Sequence, residues 1–215
     1  MQGIIEVVTR SPEKLISFIN DTIATLSKAS PNPAHFAIAE MERLGLLDAV
    51  ITQNVDNLHQ LAGSESVIEL HGNVYRFKCT QCGERMKFSR HDFLEFLGRA
   101  VTGLTSHSFE NLIEAMPSCK CGGKARLDIV MFGEQVQMIP ESYRRIEGAK
   151  VVLIVGTSGT VYPASEIPRY GKKSGALVID VNPRETFYAD IDDYFLKGPA
   201  GAVIPQLMEE VRALL

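Results

Sequence analysis

Val151-Val152-Leu153-Ile154-Val155-Gly156-Thr157-Ser158 decides the fold class, because five consecutive aliphatic residues, four of them β-branched, run straight into a Gly-Thr-Ser turn. A strand that is apolar on both faces belongs to a parallel sheet covered by helices on each side, whereas a half-solvated strand would alternate. Downstream, a helix over about 164–173 leads to a second such strand, Ala176 to Val181, which ends at Asn182-Pro183. A short strand near Tyr194 and a helix from about Ala202 continue the alternation that marks a doubly wound α/β sheet. Upstream, Ile139 to Glu147 reads as helix, Ile129 to Phe132 as extended chain, and Asp48 to Thr52 and Val67 to Leu70 as short buried strands. Ser11-Pro12-Glu13 opens an amphipathic helix carrying Leu15, Phe18, Ile19, Ile23 and Leu26. Asn32-Pro33 opens another, carrying Phe36, Ala37, Met41 and Leu44 and stopping at Gly45, a residue suited to the left-handed position after a helix.

The whole chain has 215 residues, with 22 Lys and Arg against 26 Asp and Glu and a net charge of -4. No basic run exceeds a pair, so direct nucleic-acid binding is not expected. The aliphatic run at 151–155 is far short of the ~18 residues that a membrane span needs. The first ten residues lack the basic-then-apolar layout of a secretory signal, so the expected compartment is the cytoplasm. Nothing in the sequence assigns an oligomeric state.

All four cysteines lie between 79 and 121, as Cys79-Thr-Gln-Cys82 and Cys119-Lys-Cys121. A disulfide framework is one reading, but a chain with no visible signal is expected to keep its thiols reduced. Metal ligation is the other: each close pair aims two thiolates at one point, and two pairs complete a tetrahedral zinc site with no open position, which makes the metal structural. The 36 residues between the pairs exceed the ribbon spacing of about 15–20. The excess, Phe88 to Met116, reads as a largely helical insertion. The resulting organisation is an α/β domain with a helical module over 1–71 and 126–215, interrupted by a zinc module over 72–125.

Ligands of open α/β sheets bind beyond the carboxyl ends of the strands, and several such ends are polar here. Gly156-Thr157-Ser158 lets backbone and hydroxyls approach a sugar or phosphate, and Asn182 can reach ribose hydroxyls. By themselves these residues also fit ordinary turn chemistry. Gln53, Asn54 and Asp56 put two amides and a carboxylate on one short segment, able to hold a polar group and oppose a developing cation. The alternative for Asp56 is an Asx turn capping the next helix. Among five histidines, His71 stands out, since it follows an apolar strand and precedes Gly72, where an imidazole at the sheet rim can act as general base.

In order, Pro31-Asn32-Pro33-Ala34-His35, Thr52-Gln53-Asn54-Val55-Asp56-Asn57-Leu58-His59, Glu69-Leu70-His71-Gly72, the two cysteine pairs, Val130-Met131-Phe132-Gly133-Glu134, Gly156-Thr157-Ser158, Val161-Tyr162-Pro163 and Val181-Asn182 closely resemble the sirtuin family of NAD-dependent protein lysine deacylases. The resemblance runs from about residue 31 to the C-terminus. It implies a Rossmann-like large domain, a small domain built from a zinc module and a helical module, NAD as cofactor and an acyl-lysine protein or peptide as substrate. Carried over by position, His71 is the implied general base. Gln53, Asn54 and Asp56 are implied around the nicotinamide and its ribose, and Gly156, Thr157, Ser158 and Asn182 at adenosine and phosphates. Pro199 and Ala200 lie in the implied adenine loop, Cys79, Cys82, Cys119 and Cys121 hold the implied zinc, and Val130, Phe132, Gly133 and Glu134 match the strand that pairs with substrate backbone.

Sirtuins open with a strand, a Gly-Ala-Gly loop and a cofactor loop ending in Phe-Arg, and nothing like these precedes Ser11. The expectation is therefore a doubly wound sheet whose N-terminal central strand is missing from the sequence, and a native protein with residues upstream of Met1. Two other functions stay open at this point: a catalytically silent, zinc-stabilised acyl-lysine peptide-binding protein, and a protein ADP-ribosyltransferase.

Overall fold

The structure, a computed structural model, describes residues 12–105, 114–131 and 133–215. Its contacts divide the chain into two units, one made of residues 1–29 and 73–129 and the other of residues 30–72 and 130–215.

The first unit contains helix α1 (Pro12–Lys28). Sequence grouping placed this helix with the α/β part, but its apolar stripe finds its partners here: Ile19 and Leu26 join Tyr75, Phe77, Phe93, Phe96 and Leu97 in one core. The proline predicted at the first helical position does open α1, while Ser11 lies outside the described residues. Strands β3 (Gly72–Cys79), β4 (Arg85–Lys87) and β5 (Ala125–Ile129) form a sheet in the order β4-β3-β5, with β3 and β4 antiparallel. Helix α4 (Arg90–Thr105) lies within the predicted helical insertion. It presents Phe93 and Phe96 to Phe77, whose ring is fully buried and meets Phe96 edge-on at 5.0 Å.

The second unit is the α/β part. Helix α2 (Pro33–Arg43) starts at Asn32, whose Oδ1 accepts from the Ala34 and His35 backbone N–H groups, while the Asn32 N–H donates to His35 Nδ1 at 3.2 Å. The helix ends as predicted: Gly45 has φ +72°, its N–H donates to Glu42 O, and the Leu46 N–H donates to Met41 O, a Schellman motif. Then come β1 (Val50–Thr52), α3 (Leu58–Ala62) and β2 (Val67–Glu69). After α5 (Ile139–Ile146) the alternation runs β6 (Val151–Val155), α6 (Glu166–Lys173), β7 (Leu177–Asn182), β8 (Tyr194–Lys197) and α7 (Ala200–Arg212).

Among the described residues every pairing in this unit is parallel, and the strands make two sheets, β1-β2 and β6-β7-β8. The same helical layers flank both. Val50 of β1 and Leu153 and Val155 of β6 pack into the core built by α2 and α7, around Ala37, Ile38, Ile204 and Met208. Ile51 of β1 and Val152 of β6 pack into the opposite core, around Ile68, Leu70, Ile146 and Ile167. Among the described residues β6 pairs with β7, and its Val151 is 52% exposed.

Strand β5 ends at Ile129, and the chain then enters a turn: Gly133 has φ +85°, the Glu134 N–H donates to Met131 O at 2.9 Å, and Glu134 Oε2 accepts from the Met131 N–H.

Candidate active site

Strands β1, β6 and β7 deliver their carboxyl ends to a connected set of polar groups. His71 follows β2, and its Nδ1 donates to the Gln53 carbonyl at 3.1 Å. A carbonyl can only accept, so Nδ1 carries a proton, and in the neutral ring Nε2 is then the acceptor that a general base requires. The Gln53 Nε2 donates to Thr157 Oγ1 at 3.3 Å, and the Asn182 Nδ2 donates to Thr157 O at 3.0 Å. Four of the sequence-predicted residues, contributed by the ends of four strands, thus form one chain of hydrogen bonds from His71 through Gln53 and Thr157 to Asn182.

The backbone that carries them is fixed locally. Thr52, 8% exposed at the end of β1, accepts from the Asn54 N–H at 3.0 Å and so sets the direction of the 53–57 loop. Sequence reasoning missed Thr52. A hydroxyl at the last strand position before a polar loop is the signal that marks it. Asn54 is exposed. Asp56 Oδ1 accepts from the Leu58 N–H at 3.1 Å, the Asx turn that the sequence offered as the plain alternative. The carboxylate thereby starts α3 while standing three residues from Gln53.

The Gly156 N–H donates to Val181 O at 3.0 Å, closing the β6 end onto β7. Ser158 Oγ lies 2.8 Å from Thr160 Oγ1, and Ser158 O accepts from the Phe187 N–H. Pro199 is the residue before α7 and Ala200 its first, and the neighbouring Gly198 N–H donates to Asn182 O at 3.1 Å, so this segment sits beside the β7 end. Of the predicted peptide-contact residues, Val130 donates its N–H to His71 O at 2.9 Å, Gly133 and Glu134 form the turn described above, and Phe132 lies outside the described residues.

The four cysteines meet in the other unit. Their sulfur atoms all lie within 4.8 Å of one another, with Cys79 and Cys121 3.5 Å apart and Cys82 and Cys119 3.6 Å apart. Those edges are close to the ~3.8 Å that a tetrahedron with zinc–sulfur bonds of about 2.3 Å requires. All four are free thiols. The N–H groups of Cys82 and Gln81 draw the Cys79 thiol down to about 6. Cys82 is pushed up to about 12: a Glu84 N–H lowers it, and the crowding of the other three thiols outweighs that. One thiolate is favoured and four are not, unless a cation sits among them, so the donor set suits a thiophilic divalent metal such as zinc.

A family model described as the Sir2 family matches residues 4–163. The chain is 40% identical over 214 residues to a NAD-dependent protein deacylase of Desulfosudis oleivorans, covering 99% of this chain and 78% of that protein. It is 42% identical over 212 residues to a NAD-dependent protein deacylase of Pyrococcus furiosus, covering 97% and 79%. Among solved structures, a Sir2 complex with a p53 peptide and NAD+ superposes with a TM-score of 0.75 at 33% identity, covering 97% of this chain and 82% of that one.

Proposed function

Because this chain belongs to the Sir2 family, we propose that it is a NAD-dependent protein lysine deacylase, giving free lysine, nicotinamide and an acyl-ADP-ribose. The observation that carries this reading is the hydrogen-bonded chain from His71 through Gln53 and Thr157 to Asn182. It gathers a proton acceptor, an amide and ribose-directed groups at the carboxyl ends of parallel strands, where such sheets bind nucleotides. NAD, when bound, supplies a ribose carbon that exchanges nicotinamide for the acyl oxygen, and a neighbouring hydroxyl that must lose its proton. His71 Nε2 takes that proton, and the Nδ1 bond to Gln53 O holds the ring in place and favours the imidazolium that forms. Gln53, Asn54 and Asp56 would hold the nicotinamide ribose, with the Asp56 carboxylate available to oppose positive charge there. Gly156, Thr157, Ser158, Asn182, Pro199 and Ala200 are assigned to the adenosine and phosphates.

Val130, Phe132, Gly133 and Glu134 are assigned to the substrate backbone, in a mode where main-chain bonds give affinity and the acyl-lysine side chain gives specificity. The solved relative with a bound p53 peptide and NAD+ supports both ligand classes. Zinc held by Cys79, Cys82, Cys119 and Cys121 is structural, since four protein thiolates leave no position for a reacting group. No helix among the described residues is long and apolar enough to cross a membrane. The cytoplasm is the compartment assigned, since thiols that hold a metal must stay reduced.

The test is nicotinamide release from NAD with and without an acetyl-lysine peptide, with mass spectrometry of the peptide. Peptide-dependent release, with loss of the acetyl group and at least a 100-fold fall in His71→Ala, is expected. A peptide that gains ADP-ribose, or binds with no nicotinamide released, refutes the reading in favour of a transferase or a binding protein.

A further inference from the structure

We propose that the paired rings of His59 and His35 are a neutral buttress that holds the Gln53–Asp56 loop in shape, so that His59 is a positioning residue and acid releases the loop. This deepens the reading above and rests on it for the meaning of that loop.

Helix α3 has only five residues, begins at Asn57 in a left-handed conformation with φ +64°, and has no side-chain cap at that position. So short a helix has no stability of its own. Its first turn is tied to the loop by the Asp56 carboxylate on the Leu58 N–H, so the placement of α3 and of Asp56 is one question. Two side-chain contacts hold the helix from outside. Gln60 Nε2 donates to Glu69 Oε1 of β2 at 2.8 Å, and the His59 ring rests on the His35 ring of α2 at 4.8 Å, tilted by 56°.

His59 Nδ1 is buried and has no hydrogen-bond partner among the described residues. A nitrogen left unpaired there costs in either form, and protonating the ring adds the burial of a charge. Packing therefore favours the neutral ring. The titratable groups that bear on the pair are the two histidines themselves and the Asp56 carboxylate. Burial lowers the pKa of both rings from the usual 6.5, His35 lowers that of His59 further, and Asp56 opposes both effects without cancelling them. A folded-state pKa held below its open-state value gives a contribution that is complete above about 6.5 and is lost as pH falls through the lowered values. Protonation then puts a second positive ring beside the first and pushes α3, and Asp56 with it, off α2.

The experiment is amide hydrogen exchange of the full chain between pH 7.5 and 5.0, corrected for intrinsic rates and read at the Leu58 N–H. It compares the native sequence with His59→Phe, which keeps a ring, and His59→Gln, which keeps a polar group of similar length. Protection at Leu58 should fall about tenfold in the native chain and less than about threefold in either variant. Protection that stays flat in the native chain, or falls as steeply in both variants, overturns the proposal. NAD affinity measured in parallel should weaken over the same interval in the native chain. Absence of NAD binding at every pH, with the exchange pattern as expected, would instead sink the reading of the loop as a cofactor site.

Discussion

Asp128 accepts from Arg76 Nε at 2.5 Å and from Arg85 Nε at 2.8 Å, with its own side chain 2% exposed. Since Arg76 lies on β3, Arg85 on β4 and Asp128 on β5, one carboxylate ties all three strands of the cysteine unit. Burial by itself would raise its pKa, and the two guanidinium groups more than reverse that and hold it below the usual carboxylate range. A folded pKa below the unfolded one means the contribution is present above about pH 4 and disappears as pH falls through the lowered value. Asp128→Asn removes the charge and leaves two arginines facing each other, which costs about 3 kcal/mol, the lower end for breaking such a pair because Arg85 remains half exposed. Urea unfolding at pH 7 should show that loss, and the gap between native and variant should shrink as pH falls below 4. Equal stability at pH 7 would show that the triad is dispensable. The sequence shows no partner for Asp128, because a partnership 52 residues away along the chain with Arg76 is a product of strand pairing. His71 and the cysteines were legible because their chemistry follows from neighbours in sequence: a strand end followed by glycine, and close thiol pairs.

Helix α6 shows how packing outranks propensity at the scale of an element. Gly171 interrupts it, and in an exposed helix alanine would be better there by about 1 kcal/mol. A Cβ at Gly171, however, would stand 2.7 Å from Val152 Cγ2 of β6 and 3.0 Å from two atoms of Ile146 of α5, so the glycine lets the helix lie close on the strand. Overpacking of this kind costs ~1–3 kcal/mol, so Gly171→Ala is expected to lower stability by up to about 2 kcal/mol, read as a fall in thermal midpoint. A rise in that midpoint would mean the helix can shift outward freely. Elements with strong local signals were readable. Helix α2 declared its start with Asn32-Pro33 and its stop with Gly45, and β6 and β7 declared themselves by aliphatic runs. Strand β3 was absorbed into the zinc module, although Tyr75, Phe77 and Cys79 alternate with Arg76 and Lys78 and all three are buried. The nearby cysteines drew attention from that period-two pattern. The turn that Gly133 and Glu134 make after Ile129 was not legible, since it rests on a positive φ and on a bond between Glu134 and Met131.

Considered as a whole molecule, the chain joins a unit that supplies every cysteine ligand to a unit that supplies every group of the His71–Asn182 chain. The two should therefore respond separately to loss of metal. Zinc binding contributes directly to folding in small closed sites, but here the cysteine unit also has an aromatic core of Tyr75, Phe77, Phe93 and Phe96. Chelation is expected to melt the metal-bound turns first and leave that core partly protected. The amides to watch are Cys79, which donates to Glu84 O, Cys119, which donates to Gly123 O, and Gly122, which donates to Cys119 O. Each of these bonds fixes a thiol and none of them involves the second unit. Hydrogen exchange on the full chain, before and after a zinc chelator, should show these three losing at least tenfold in protection while the amides of β7, paired on both sides by β6 and β8, hold theirs. Uniform loss across both units would mean that the metal stabilises the molecule as one cooperative body. No change at Cys79 and Cys119 would mean that the free thiols hold their turns through backbone bonds alone, and the metal reading of the cluster would fail.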